Sequence, residues 1–219
     1  VLARVTPDLL RSLMSDQQPG VVIQLPDPTW RDAYLQWTKN LSQIVLFAVI
    51  IMFGGMISGE KKSGTAALVL TKPVSRRAFV AAKFVSQALL VVVPVTLGAL
   101  ATWGVTYAVF AEAPVTPLMQ ATGAWLALAL LFVALMELLS ASLDSQAGAA
   151  GIGFLGYIAI SIAVLWSPAL KYSPAGLVNA PSELVTGDAA NLLAPIAVTV
   201  ALALVLVGGA MAVFDRREL

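Results

Sequence analysis

The sequence has no cysteine and no histidine, and little charge of either sign: 13 Lys and Arg stand against 12 Asp and Glu in 219 residues. Without Cys and His there is no disulfide framework, no zinc site of the usual kind, no thiol nucleophile and no serine hydrolase relying on a His base. The net charge of +1 leaves no electrostatic footprint for nucleic acid. Charged residues make up 11% of the chain. A soluble domain carries about 25%, so a surface facing water on all sides is excluded. A secretory signal is missing too, since residues 1–40 hold eight charges and no apolar core.

What the chain has instead is a 59% hydrophobic composition gathered into long runs. Five stand out, at about residues 41–58, 84–110, 120–143, 147–166 and 192–214. Each is rich in Leu, Val, Ala and Ile, lacks period-2 alternation and is long enough to cross a bilayer as helix. Lipid requires backbone pairing within the segment, so the expected fold is an all-α polytopic membrane protein, a single transmembrane domain. Pro94 lies inside the second run and is expected to kink it.

Orientation follows from Lys and Arg. Residues 59–83 hold Lys61, Lys62, Lys72, Arg76, Arg77 and Lys83 against the single acid Glu60, and Arg216 and Arg217 lie at the chain end. Residues 111–117 carry only Glu112, and residues 167–191 carry Lys171 against Glu183 and Asp188. Alternating the spans then puts residues 59–83, 144–146 and the C-terminus in the cytoplasm, as expected of a multi-pass protein of the cell (inner) membrane. Residues 1–40 fall outside. Since position 1 is Val and no signal carries that end across, a further span ahead of it is expected, making six.

The external segments have their own character. Residues 1–40 contain Pro7, Pro19, Pro26 and Pro28 and read as an irregular lead-in. Thr29-Trp30-Arg31-Asp32 has capping-box spacing, and Trp30, Tyr34, Trp37 and Leu41 share one helical face. The expectation is an interfacial helix on the outer surface that turns into the first span. Residues 167–191, broken by Pro168, Pro174 and Pro181, read as short re-entrant or gating helices. The cytoplasmic segment at 59–83 begins with a charged turn, continues as a short amphipathic helix and breaks at Pro73. Its cations satisfy the positive-inside bias and attract anionic headgroups. Gly59-x-x-x-x-Gly64-Thr65 imitates a P-loop, but Thr65 replaces the phosphate-binding Lys and no strand precedes it, so ATP is not bound that way.

Glu60-x-x-x-Gly64-Thr65, followed by Lys72-Pro73-Val74-Ser75-Arg76 and by Lys83 opening a span, resembles the membrane subunit of ABC-2 type transporters. Asn40-Leu41-Ser42-Gln43, Gly54-Gly55 and Glu183-Leu184-Val185-Thr186-Gly187 add to the resemblance, which covers the chain from about Pro7 onward. It implies six spans and pairing with a second or similar permease. It also implies a coupling helix, here about residues 63–71, seated in a separate ATP-binding cassette subunit. ATP and Mg then belong to that subunit; this chain carries no cofactor and is not an enzyme. Glu60, Lys61, Ser63, Gly64, Thr65, Leu68, Lys72, Pro73, Arg76 and Arg77 are the implied coupling residues, and Glu60 is expected either to cap the helix start or to pair with a basic residue, Arg76 or Arg77 being the nearest. Ser182, Glu183 and Leu184 fall in the implied external gate. The cargo, exported by analogy, is an amphipathic or hydrophobic molecule.

Glu137 is the acid deepest in an apolar run, at a cost of about 2.5–3.5 kcal/mol mid-span, so it needs a partner or a wet cavity. One reading is a substrate or proton contact; the other is an interhelix hydrogen bond or an ion pair with a basic loop residue. The small residues at 147–153 are expected to let helices pack closely. Trp103, Tyr107, Trp125, Tyr157 and Trp166 are expected in interface belts. An ion-coupled carrier or channel-like protein is the alternative function, with Glu137 as its coupling group.

Overall fold

The computed structural model describes residues 27–64, 75–188 and 191–216. Among the described residues there is no strand, and the ordered elements are all helical. The first helix, α1 (Trp30–Asn40), starts where the capping-box spacing puts it. The Asp32 carboxylate accepts hydrogen bonds from the Thr29 N–H at 2.7 Å and the Thr29 hydroxyl at 2.9 Å. A π-helical turn (Leu41–Val45) then joins α1 to α2 (Leu46–Phe53). Leu41 and Leu46 at the two junctions both keep right-handed helical backbone angles.

Residues 30–53 therefore form one rod, which corrects the expected bend between an interfacial helix and the first span. The aromatic face that was to sit among headgroups finds protein instead. Tyr34 is fully buried and donates its hydroxyl to the Pro114 carbonyl at 3.3 Å. The Trp37 indole donates to the Thr122 hydroxyl at 3.1 Å. On the other side Trp37 meets Gly98, where a Cβ would come within 2.6 Å of the ring edge. The rod opens at residues 54–57 before a short helix, α3 (Ser58–Lys62).

The remaining helices are α4 (Arg76–Phe110), α5 (Val115–Ser142), α6 (Gln146–Ala163), α7 (Ser167–Tyr172), α8 (Gly176–Thr186) and α9 (Leu193–Asp215). Five segments are long and apolar enough to cross a membrane: Trp30–Glu60, Arg76–Phe110, Val115–Ser142, Gln146–Ala163 and Leu193–Asp215. The chain is thus an all-α polytopic membrane protein. Its α4 begins eight residues before the apolar run, because the Ser75 hydroxyl caps the Ala78 N–H at 3.1 Å and nothing in Arg76–Lys83 opposes a helix. Pro94 lies inside α4 without ending it.

α5 occupies the centre, packed against α9, α8, α4, α2 and α6. Trp125, Leu128, Phe132, Val133 and Met136 are buried around its circumference, so this helix has no single apolar stripe. Trp125 is 1% exposed, which removes it from the expected interface belt; Trp166, at 67%, remains available to one. α4 and α9 each bury one stripe: Val91, Val95 and Ala99, and Thr199, Ala203, Val207, Ala210 and Phe214. Their other faces expose Leu89, Leu97, Leu204 and Val205. In water such surfaces drive aggregation, while in a bilayer they match the solvent. The small residues at the start of α6 do permit close approach. A Cβ on Gly153 would lie 2.5 Å from the Met136 sulfur and 3.0 Å from Ile50.

Candidate functional site

Five chain segments meet at one end of the bundle: the end of α3 and the start of α4, the end of α5, the start of α6 and the end of α9. Their polar side chains join them. Glu60 of α3 forms an ion pair with Lys83 of α4, with side chains only 29% and 22% exposed. The Lys83 ammonium also lies 5.8 Å from the centre of the Phe79 ring, a cation–π distance. This replaces the expected pairing of Glu60 with Arg76 or Arg77. Those two sit in the first turn of α4, nearly two turns from Lys83, and turn to the last helix instead. Arg77 pairs with the Asp215 carboxylate at 2.6 Å, and Arg76 donates to the Asp215 carbonyl at 3.2 Å.

The opening at residues 54–57 leaves backbone groups without helical partners, and neighbouring helices supply them. The buried Ser140 hydroxyl of α5 accepts the N–H groups of Ile57 at 2.9 Å and Ser58 at 3.1 Å. The Gln146 amide of α6 donates to the Ile51 carbonyl at 3.1 Å. Gly55 lets Gln146 pass: a Cβ there would fall 2.8 Å from its side chain. The charged turn expected around residues 58–62 is itself helical, because Ser140 caps it from outside.

Glu137 lies one turn from Ser140 on α5 and is completely buried. Among the described residues neither carboxyl oxygen meets full hydrogen-bond geometry with a partner, although the Phe84 backbone of α4 lies close enough to act on it. The groups of α4 that act on it electrostatically are the Phe84 backbone and the Lys83 ammonium. Lys83 thus pairs with Glu60 directly and lies within electrostatic reach of Glu137. Gln87, one turn further along α4, is also fully buried with both amide atoms unpartnered. Sequence reasoning missed Gln87, Ser140, Gln146 and Asp215. The i+4 spacing of Gln87 from Lys83 and the i+3 spacing of Ser140 from Glu137 were the available signals.

The other expected coupling residues divide in two. Lys61 belongs to α3, and Ser63 and Gly64 form the turn after it, Gly64 with φ +74°. Thr65, Leu68, Lys72 and Pro73, and with them most of the expected coupling helix, lie outside the described residues, as does the lead-in at residues 1–26. At the opposite end of the bundle Ser182, Glu183 and Leu184 lie on α8, the second of two short helices. That helix stops at Gly187 (φ +90°), whose N–H donates to the Glu183 carbonyl at 2.9 Å. The Ser182 hydroxyl donates to the Asn179 carbonyl at 2.8 Å, and Leu184 packs against the core. Among the described residues no three Asp or Glu side chains gather to hold a metal.

Residues 24–219 match the model of a family described as a protein of unknown function (DUF2705), and no curated protein matches the chain. The chain belongs to that family.

Proposed function

We propose that this DUF2705 chain is the permease subunit of an ATP-binding cassette transporter of the ABC-2 type. In this reading it moves an amphipathic or hydrophobic molecule outward, paired with a second or similar permease. The power comes from ATP hydrolysed, with Mg, on a separate subunit docked at the segment between α3 and α4. The observation that carries the reading is the Glu60–Lys83 ion pair, which ties together the two helices flanking that segment, 23 residues apart. Together with the Arg77–Asp215 pair it fixes the base of the segment to the first, second and last spans. A push on the segment is then delivered to three spans at once rather than absorbed by a slack loop. In this reading that end of the bundle faces the cytosol, in keeping with its excess of Lys and Arg.

The test is co-purification of the chain with a P-loop ATPase, followed by ATPase and transport assays on Glu60→Gln and Lys83→Met. The expected result is continued ATP hydrolysis with transport reduced at least several-fold, because the base has been loosened. Failure of any ATPase to associate with the intact chain overturns the reading.

A second reading, an ion-coupled carrier, rests on one observation: the carboxylate of Glu137 and the amide of Gln87 are buried without a partner at full hydrogen-bond geometry. Groups of that kind mark ion or proton routes within membranes. Glu137→Gln distinguishes the two readings. A carrier loses coupled transport at unchanged protein level, whereas an ATP-driven permease keeps it.

A further inference from the structure

At the end of the bundle away from Glu60 and Lys83, a cavity of about 390 Å³ opens between the α1–π segment, α6 and α8. Its polar lining includes Lys39, Ser42, Gln43, Tyr157, Asn179 and Ser182. Among the described residues the side chains of Lys39, Ser42, Gln43, Tyr157 and Asn179 make no hydrogen bond or ion pair within the chain. Five polar groups from three separate elements thus line one open concavity without being engaged with one another. Among the described residues no acid belongs to the lining, so Lys39 sets its sign. Ser42 and Gln43 belong to the π turn, in which the Leu46 N–H reaches back to the Leu41 carbonyl. Such turns recur at functional sites because the extra residue re-aims the side chains beside it.

Beside the cavity, next to its lining residue Tyr157, lies an apolar strip. Phe47 lies edge-on to Phe154 at 5.2 Å and to Tyr157 at 5.6 Å. Ile44 and Ile158 stand 65% and 51% exposed on the same two elements, continuing the strip along the lipid-facing side. A lysine that merely reached for headgroups would not need amides and hydroxyls from two other elements around it. We infer that this cavity binds an anionic amphiphile. Its phosphate or carboxylate head lies against Lys39 and accepts from the Gln43 and Asn179 amides and the Ser42 and Tyr157 hydroxyls, with its chain along Phe47, Ile44 and Ile158. The site rests on its own lining and needs no ATPase, so it stands or falls separately from the permease reading.

The experiment is a lipid titration of the full chain in neutral maltoside detergent, read by native mass spectrometry. The probes are short-chain phosphatidylglycerol, dodecyl phosphate, short-chain phosphatidylcholine and inorganic phosphate. Phosphatidylglycerol or dodecyl phosphate is expected to bind about tenfold more tightly than phosphatidylcholine, the worth of one charge-assisted contact. The tighter of the two tells whether the site takes a bilayer lipid or a single-chain amphiphile. Lys39→Gln is expected to abolish that preference, Lys39→Arg to retain it and Lys171→Gln, on the exposed side of α7, to leave it unchanged. Tyr157→Phe, which keeps the ring contacts, is expected to weaken both anionic probes about threefold. Equal binding of phosphatidylglycerol, dodecyl phosphate and phosphatidylcholine overturns the proposal. So does a preference that survives Lys39→Gln, or displacement of either amphiphile by inorganic phosphate at the amphiphile's own concentration.

Discussion

Removing Lys83 should destabilise the protein more than removing its partner Glu60, and the difference follows from how many carboxylates each cation serves. A contact ion pair gains about 4 kcal/mol at the effective dielectric of a protein's outer layers, before desolvation and side-chain ordering are subtracted. Glu60 and Lys83 are each less than one-third exposed, so more survives than the 0–1 kcal/mol typical of open surface pairs. About 1–2 kcal/mol is expected for the pair itself. After Glu60→Gln, Lys83 still faces Glu137, and the loss stays near that figure. After Lys83→Met, Glu60 can hydrate, but Glu137 is fully buried and loses the cation that acts on it. A further loss of about 1–2 kcal/mol is expected from that unpaired group. Thermal unfolding in maltoside detergent, followed by tryptophan fluorescence, reads these as shifts of about 2–4 °C per kcal/mol. Glu137→Gln introduced into the Lys83→Met background should recover the second part alone. Equal shifts for Glu60→Gln and Lys83→Met, or no recovery on adding Glu137→Gln, would refute the idea that one ammonium serves both carboxylates.

Three more perturbations follow from the same geometry. Ser140→Ala strips two buried N–H groups of their acceptor, and a loss of about 2–4 kcal/mol in detergent unfolding is expected; a loss under 1 kcal/mol would mean water replaces the hydroxyl. Gly98→Ala drives a methyl into the Trp37 ring, costing about 1–3 kcal/mol by the same assay, and Trp37→Phe in that background should return part of it. Arg77→Gln removes an ion pair whose cation is 72% exposed, so its effect should stay below about 1 kcal/mol and fade in high salt, where the Glu60–Lys83 effect persists.

The spans were legible because long, predominantly apolar runs with almost no charge leave the backbone few choices. Their ends were less so, as α4 illustrates: hydropathy ends at the last charge, whereas helicity runs on through Arg76–Lys83 to the Ser75 cap. Trp30, Tyr34 and Trp37 show a different limit. Their spacing announced one helical face, but an aromatic face suits a headgroup layer and a protein groove equally well, and only the neighbouring Pro114, Thr122 and Gly98 decide between them. Glu60 was legible as a residue in need of a cation. Which cation depended on where α4 begins, and a start eight residues early carries Arg76 and Arg77 past Glu60 to Asp215. The joint made by Gln146 could not be read at all, and the spacing of Ser140 from Glu137 placed it on a polar face without saying what it binds, since only the opening at residues 54–57 gives either side chain its partner.

The two kinds of joint at that end of the bundle differ in strength, and the difference bears on how it moves. Ser140 holds the start of α3 through two hydrogen bonds in a site closed to solvent. There the alternative to the bond is an unsatisfied group, so the joint is stiff. Glu60–Lys83 and Arg77–Asp215 lie at the margin, where water can take over either partner once it separates. A displacement applied between α3 and α4 should therefore leave α3 attached to α5 and act first on the two ion pairs, turning α4 against α3 and α9.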